Sequence, residues 1–252
     1  MRLKIYLLII SCFISVKLWA QTPKTIEADL LKSFKKINYL HDKNDDDGVV
    51  KANEEFAKKL MMYATRYPAT INQNFTLLKK EHLNISTSED GLFRIYSWDD
   101  ETGGTERYFR NIFQYKLKDK INAVLDSVKQ EGDSMPFYNK LYTLKANSNT
   151  FYLVTYLFIG SSRYYGAGVQ CFSVTHEKLD NDVKIIKTAS GLHSQISYEI
   201  DLGTVNNEET MPSINFDATT NKLNIPLVTS KGKPTNRYIT YKFTGQCFEK
   251  IK

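Results

Sequence analysis

The sequence contains few of the residues that most often carry catalysis or bind metals. Among 252 residues there are four histidines, three cysteines and two tryptophans. No histidine is spaced from another histidine or from a cysteine as zinc ligands are. A Ser-His-Asp set would have to combine Ser190 or Ser194 with His193 and Asp201, and the Gly-x-Ser-x-Gly nucleophile elbow is missing. We therefore expect no bound metal, no cofactor and no triad catalysis.

A run of basic residues is also missing. Lysine and arginine outnumber aspartate and glutamate by 34 to 28, but they are scattered along the chain. Three basic residues, Arg2, Lys4 and Lys17, and no acidic residue lie in the first 20 positions, so the formal net charge of +6 falls to +3 without that segment. This weak and dispersed positive charge argues against nucleic acid as a partner.

The first 20 residues have the order of a secretory signal peptide. Arg2 and Lys4 form a basic start, an apolar run follows from Ile5 to Ile10, and Ala20 supplies a small residue at the cleavage position. We expect cleavage after Ala20 and export to the periplasm or the exterior. The alternative is lipid anchoring at Cys12. No later segment approaches the ~20 apolar residues that cross a bilayer, so no transmembrane segment is expected after cleavage.

Removal of this segment leaves two cysteines, Cys171 and Cys247, in an oxidising compartment. Each of them stands between a glutamine and a phenylalanine in a predicted strand. Two interpretations stay open. The cysteines form a disulfide, which would close a long loop and stabilise the fold by ~4 kcal/mol, or they are two thiols packed in the core as small apolar groups.

Two amphipathic helices are predicted near the N-terminus. Between Thr25 and Asp42 apolar residues recur every three or four positions, and the same spacing resumes after Gly48 until Pro68 ends it. Each helix presents one apolar stripe, which needs a surface to cover it. The predicted organisation is a signal segment at 1–20 and one domain at 21–252, helical over 21–82 and mainly β over 83–252.

From residue 83 onward, β-branched and aromatic runs alternate with Asn, Gly, Asp and Lys clusters, which is typical of strands joined by turns. Because no helix is predicted between these strands, we expect an α+β fold in which a helical hairpin packs on a large antiparallel meander. The run from Phe151 to Ile159 is apolar on both faces, so it should be central and covered by the helices. Three similar strand pairs, about 60 to 70 residues apart, allow blade-like, propeller-related repeats as an alternative.

The turn between the two helices resembles an EF-hand calcium loop. Asp45, Asp47 and Glu54 occupy the third, fifth and twelfth positions of a loop that would begin at Lys43. Lys43 places a cation where the first carboxylate ligand is required. Because acidic residues in such a turn also cap the following helix, we expect no metal here.

The segment from Ser88 to Phe109 combines a tight turn, an alternating strand, three consecutive acids and a Gly-Gly turn. Aromatic residues beside a carboxylate are typical of a sugar-binding surface, so Tyr96, Trp98 and Asp99 are candidate ligand-binding residues. Neighbouring side chains on an extended chain point to opposite sides, but Asp99 and Glu101 can converge. They are therefore the candidate acid and base, or acid and nucleophile, of a glycosidase.

A second candidate surface follows Ile159. Arg163, Tyr164 and Tyr165 stand in a Ser- and Gly-rich connection between two strands. An arginine beside two tyrosines can hold an anion or stack on a sugar ring, so these three residues are also candidates for ligand binding. The alternative is an ordinary hairpin loop whose tyrosines cover the edge of a sheet.

Three segments, GLFRIYSWDDETGGT, GLHSQISYEIDL and NRYITYKFTGQCFEKI, resemble a group of secreted, β-rich bacterial proteins of unassigned function. The resemblance implies export and a β-rich body, and it transfers no catalytic residue. We expect an exported, non-catalytic protein that acts as a cell-envelope binding or interaction module, with an envelope glycan or protein as its partner. The alternative is an envelope glycan hydrolase that uses Asp99 and Glu101.

Overall fold

The computed structural model describes residues 22–126, 135–146, 149–205 and 211–251. In this part of the chain the helices come first and antiparallel sheets follow, so the predicted α+β class is confirmed. The predicted signal segment 1–20, with Cys12, lies outside the described residues. Within the described ranges, no helix has both the length and the apolar character needed to cross a bilayer.

The helical hairpin forms where the apolar periodicity predicts it. Helix α1 begins after Thr22, whose hydroxyl oxygen accepts a hydrogen bond from the Thr25 amide. The side chain of Asp45 caps α2 in the same way by accepting from the Gly48 amide at 3.0 Å. The helical elements are α1 (Pro23–His41), α2 (Asp46–Arg66), a 3₁₀ turn (Pro68–Asn72) and α3 (Thr76–Lys80).

The strands follow in chain order after α3. They are β1 (Asn84–Thr87), β2 (Phe93–Asp99), β3 (Phe109–Leu117), β4 (Lys120–Leu125), β5 (Phe137–Lys145), β6 (Thr150–Ile159), β7 (Tyr164–Val174), β8 (Leu179–Asp180), β9 (Ile186–Thr188), β10 (Gly191–His193), β11 (Gln195–Asp201), β12 (Asn215–Asp217), β13 (Lys222–Val228), β14 (Pro234–Phe243) and β15 (Phe248–Lys250). A further 3₁₀ turn, Leu202–Thr204, follows β11.

The meander is divided among three sheets. The first sheet has the order β1-β2-β3-β4, and the middle sheet has the order β11-β7-β6-β5 with β8 paired to β7. The outer sheet has the order β10-β9-β15-β14-β13-β12. Among the described strand pairs, β15 with β9 is parallel and the others are antiparallel. Those two strands are far apart in the chain, so their connection is a crossover and not a hairpin.

Three apolar cores separate four layers: the helices, the first sheet, the middle sheet and the outer sheet. The helices pack on one face of the first sheet, and the other face of that sheet packs on the middle sheet. The opposite face of the middle sheet packs on the outer sheet. Large side chains that represent the three cores in this order are Phe56 with Trp98, Phe93 with Phe172, and Leu153 with Phe248.

This layering corrects one expectation about the central strand. The predicted run from Phe151 to Ile159 is β6, and it is central in the middle sheet with both faces covered. Its covers, however, are the first and outer sheets. The helices cover the first sheet, because that sheet follows them directly in the chain and offers Tyr96, Trp98 and Ile112 to their apolar stripes.

The three similar strand pairs have a simple structural meaning. They are β2 with β3, β6 with β7, and β13 with β14, and each pair is an interior hairpin of one sheet. The propeller-related alternative is not supported, because the described strands form open sheets stacked face to face and no closed sheet.

Both cysteines contribute to the core between the middle and outer sheets. Cys171 is buried there, and Cys247 packs against the same cluster. Both are free thiols, so the disulfide alternative is not supported. Burial raises the pKa of the Cys171 thiol well above its ordinary value, as expected for a cysteine packed as a small apolar residue.

Candidate functional site

The loops of the three interior hairpins meet at one end of the stack, which we call the loop end. The loops are residues 100–108, 160–163 and 229–233. Backbone hydrogen bonds connect these loops with one another and with the end of β11: Arg107 N to Ile159 O (3.0 Å), Leu202 N to Arg163 O (2.8 Å) and Asp201 N to Gly232 O (3.0 Å). The two stretches predicted to carry a site, after Trp98 and after Ile159, are thus in contact.

The prediction that Tyr96 and Trp98 belong to a ligand-binding surface is wrong. Both side chains are fully buried between the first sheet and the helices. The Trp98 indole N–H donates to Asn53 Oδ1 at 2.8 Å, and the Tyr96 hydroxyl donates to Gln114 Oε1 at 2.8 Å. Burial raises the pKa of Tyr96. Neither residue can contact a ligand in this conformation, so we do not assign them to the site.

Asp99 and Glu101 come together on a shared arginine. The Arg107 Nη1 atom lies 3.4 Å from Asp99 Oδ2 and 3.0 Å from Glu101 Oε2. The two carboxylate oxygens are therefore no further apart than the sum of these distances, so their separation does not exceed the span of roughly 5 to 10 Å seen in glycosidases. His41 Nε2 is 4.0 Å from Glu101 Oε2. Arg107 thus forms ion pairs with both carboxylates, and this network stabilises the loop between β2 and β3.

The third acidic residue of the cluster, Asp100, also stabilises the loop through its own hydrogen bonds. Asp100 is buried, and its Oδ1 atom accepts hydrogen bonds from the amide (3.0 Å) and the hydroxyl (2.6 Å) of Thr102. Its Oδ2 atom lies 3.4 Å from Arg110 Nε. The Asp100 carbonyl accepts from Asn53 Nδ2 at 2.7 Å, which ties the loop to α2. The acidic loop is thus cross-linked to the helices and to β3.

Asp99 differs electrostatically from its neighbours. Partial burial raises the pKa of Asp99, the hydrogen bond from the Glu101 amide and the Arg107 charge oppose this effect, and the charges of Glu101 and Asp100 add to it. The net result is a carboxyl group that protonates above its ordinary pKa of 3.8. Its ionised form at neutral pH therefore weakens the fold relative to its protonated form.

We expect Asp99→Asn to be at least as stable as the wild type near neutral pH and to lose this advantage in acid. Asparagine keeps an oxygen for the Glu101 amide but has no charge to desolvate. A raised pKa means that the stabilising contribution of the carboxyl is present below its ordinary pKa of 3.8 and is lost as the pH rises through the folded-state value. Urea unfolding of both proteins between about pH 3.5 and pH 7 checks this. A stability difference that does not change with pH contradicts it.

The Arg163 loop presents a fixed cation and an exposed ring. Arg163 donates from Nε and Nη2 to the two carboxylate oxygens of Asp201, at 2.7 and 2.6 Å. These hydrogen bonds lower the pKa of Asp201 and raise that of Arg163. The guanidinium lies 5.6 Å from the centre of the Tyr164 ring, and Tyr164 is 40% exposed. Ser161 Oγ accepts from the Arg163 and Tyr164 amides, which holds the turn in this shape.

A groove of about 730 Å³ lies beside this loop. Its lining is polar and aromatic, and we call it the tyrosine groove; it is formed chiefly by Pro212, Ser213, Lys233, Thr235, Asn236 and Tyr238. Lys233 follows Gly232, whose carbonyl accepts from the Asp201 amide, so the groove adjoins the Arg163–Asp201 pair.

Three tyrosines converge at this groove. Tyr238 is 48% exposed, and the Tyr198 hydroxyl donates to the Pro212 carbonyl at 3.0 Å. Burial raises the pKa of Tyr198, and the Tyr165 and Tyr238 hydroxyls raise it further because they are close to it. Tyr165, which the sequence suggested as a ligand-binding residue, thus lies close to Tyr198 behind the groove and is not part of its lining.

No family model, curated protein or solved structure matches this chain. The resemblance to secreted bacterial proteins therefore stays a prediction. Because fold class alone does not imply function, the function has to be argued from the chemistry of the site.

The calcium alternative is not supported by the helical turn. Asp45 is the cap of α2, Asp47 lies in the first turn of that helix, and Glu54 lies two turns further along it. A single continuous helix cannot wrap around an ion as an EF-hand loop does. Within the described ranges, no three His, Cys, Asp or Glu side chains are placed to hold a metal ion.

The fold brings together two of the residues considered for a triad, but not the third. Ser190 Oγ lies 2.8 Å from His193 Nε2 on an exposed hairpin. Asp201, which would complete the set, is bound to Arg163 instead. The hairpin therefore carries a local Ser–His contact without the third member of a triad.

Sequence reasoning missed most of the tyrosine groove. Its residues come from two segments, Met211–Ser213 and Lys233–Tyr238, that are neither consecutive nor part of a recognisable motif. One available signal was Tyr238, a large aromatic side chain that follows a Gly-Lys-Pro turn in a strand with polar neighbours. Such a residue on an alternating strand faces away from the core, so its side chain is free to bind a ligand.

Proposed function

We propose that the protein is an exported, non-catalytic binding module of the cell envelope, and that it binds a glycan in the tyrosine groove. The observation that carries this proposal is the half-exposed ring of Tyr238 in a groove lined by hydroxyl, amide and ammonium groups. A tyrosine face packs on the apolar face of a sugar ring, while such polar groups exchange hydrogen bonds with its hydroxyls.

The size of the groove is consistent with such a ligand. A volume of about 730 Å³ falls in the range of roughly 300 to 1,000 Å³ that small-molecule sites occupy. The exposed Arg163–Tyr164 pair lies next to it and extends the surface along the loop end. We expect a chain of several sugar units to extend from the groove toward this pair.

The chemistry of the site supports binding without catalysis. Among the described residues that line the groove, none carries a carboxylate. Asp99 and Glu101, the candidate pair of the hydrolase alternative, are close enough to act together, but both are bound to Arg107. Glycoside hydrolysis needs one carboxyl group to give a proton and the other to be free to attack or to activate water.

The decisive variant is Tyr238→Ala. We expect it to weaken binding of soluble envelope-glycan fragments by about tenfold or more, because loss of a central aromatic contact costs more than ~1 kcal/mol. Titration calorimetry with glycan fragments measures the change. Tyr39→Ala is the matched control, since Tyr39 is an even more exposed tyrosine (61%) on α1, remote in the chain from the groove.

Three outcomes would contradict all or part of the proposal. Equal affinities of Tyr238→Ala and Tyr39→Ala would exclude the groove as the binding site. Release of new reducing ends that Asp99→Asn and Glu101→Gln abolish would favour the hydrolase. Binding of an envelope protein, with no affinity for any glycan fragment, would retain the interaction role and change the partner.

A further inference from the structure

A second cleft opens at the end of the stack opposite to the loop end. It lies between the first and middle sheets, where β3 ends, β6 begins and β7 ends, and it has a volume of about 400 Å³. We call it the cationic cleft. The residues on which its chemistry depends are Leu92, Lys116, Lys118, Thr150, Val174 and His176.

The charged side chains that line this cleft in the described part of the chain are two lysines, Lys116 and Lys118. His176 adds an imidazole, and none of the described lining residues is an aspartate or a glutamate. In the described ranges these three side chains make no ion pair and no side-chain hydrogen bond, although Asp119 and Glu177 are their neighbours in the chain. Their donors are therefore available to a ligand.

The carboxylate that lies behind the cleft wall is already satisfied. Tyr152 forms part of the wall, and its hydroxyl donates to Asp90 Oδ2 at 3.0 Å. Asp90 Oδ1 accepts from the Ser88 hydroxyl at 2.6 Å and from the Leu92 amide at 3.0 Å. The Asp90 charge is thus compensated by fixed donors inside the protein and does not pair with the lysines.

The remaining lining has a mixed character. The Thr150 hydroxyl is half-buried and makes no side-chain hydrogen bond within the described part of the chain. Leu92 and Val174 add apolar surface. A ligand that fits this lining carries an anionic oxygen group for the lysines and a small organic body for the apolar wall.

We propose that the cationic cleft is a binding site for a small organic oxyanion, which is a phosphate monoester, a sulfate monoester or a carboxylate. Lys116 and Lys118 neutralise the anionic group, His176 and Thr150 exchange hydrogen bonds with it, and the body of the ligand packs between the two sheets. This site is distinct from the tyrosine groove, because it is built by the ends of β3, β6 and β7, whereas the groove is built by residues before β12 and at the start of β14. The protein then has two sites for ligands of different charge.

The probes that test this are phenyl phosphate, phenyl sulfate and benzoate, titrated into the full chain by calorimetry. We expect the double variant Lys116→Gln/Lys118→Gln to weaken the binding of phenyl phosphate at least about tenfold, because hydrogen bonds between an ammonium group and an anionic oxygen are among the stronger ones in proteins. The three probes rank the anionic groups. Inorganic phosphate should compete with phenyl phosphate if the oxyanion provides the main contact.

The matched control is Lys222→Gln/Lys242→Gln. These two lysines are exposed cross-strand partners on β13 and β14, so the control removes the same charge from a surface outside the cleft. Equal weakening in both double variants, or no binding of any probe at millimolar concentration, overturns the proposal. Tyr238→Ala should leave these affinities unchanged, so the glycan proposal and this one can fail separately.

Discussion

Replacing Arg94 with methionine is expected to lower the free energy of unfolding by about 3 kcal/mol or more. Arg94 is 3% exposed, and its guanidinium holds three parts of the chain together. Nη1 donates to the Thr70 carbonyl, Nη2 to the Gln73 carbonyl and Nε to the Thr87 hydroxyl, each at 2.7 Å. Methionine has a similar length but no donor, so acceptors in the buried interior lose their partner.

The environment of Arg94 explains why its hydrogen bonds matter. Among the described residues, no carboxylate forms an ion pair with it. The positive charge is compensated by carbonyl oxygens and by the rings of Phe75 and Tyr96, whose centres lie 5.8 and 5.6 Å from the guanidinium carbon. The field of this buried charge reaches Lys79, whose pKa is lowered by burial and by Arg94.

Chemical denaturation monitored by circular dichroism measures the effect of Arg94→Met. The control is Arg237→Met, because Arg237 is exposed and forms no ion pair in the described ranges, and it should change stability by less than about 0.5 kcal/mol. Arg94→Lys should recover only part of the loss, because a single ammonium cannot reach both carbonyls in the fork geometry of arginine. Equal midpoints for Arg94→Met and Arg237→Met would show that the guanidinium does not hold the 3₁₀ turn to β2.

Trp98→Ala is the second variant with a large expected effect, a loss of about 3 to 5 kcal/mol. The side chain is fully buried, and its ring meets Phe56 edge-on at a centroid distance of 5.1 Å. Truncation leaves a cavity in the core between the helices and the first sheet. It also removes the indole N–H that Asn53 Oδ1 accepts, and Asn53 in turn holds the carbonyl of Asp100. The acidic loop therefore loses one of its anchors.

Two milder variants separate the cavity from the hydrogen bond. Trp98→Phe keeps most of the volume and removes the N–H, whereas Asn53→Ala keeps the ring and removes its partner. We expect both to cost less than Trp98→Ala, in thermal or urea unfolding, because neither empties the site. A Trp98→Ala protein with wild-type stability that has lost only ligand affinity would contradict the buried position and restore Trp98 as a binding residue.

These results show why the sequence predicted parts of the site and not others. The alternation in β2 correctly separates Phe93 and Ile95 from Tyr96 and Trp98. It does not show that both faces are covered. Alternation indicates that the two faces of a strand differ, but it does not indicate whether either face is in contact with water. A charged residue in an alternating strand is typical of a solvent-facing position, yet Arg94 on the second face is buried and hydrogen-bonded.

The acidic loop illustrates a second limit. The spacing of Asp99 and Glu101 allowed the prediction that their side chains can meet. That they meet on Arg107 depends on the path of the loop back to β3 and on the bond between the Arg107 amide and Ile159. The groove around Tyr238 depends in the same way on two segments that are distant in the chain, and no local sequence pattern predicts that they meet.

By itself, the sequence determined the helical hairpin, the antiparallel strands and the hairpin repeated in each sheet, because local periodicity and turn residues depend on near neighbours in the chain. The tertiary structure alone decided the order of the four layers, the burial of Trp98 and Arg94, the neutralisation of Asp99 and Glu101, and the positions of the tyrosine groove and the cationic cleft. The physical reason is that an apolar face requires some cover, while the choice of cover follows from the packing of the whole chain.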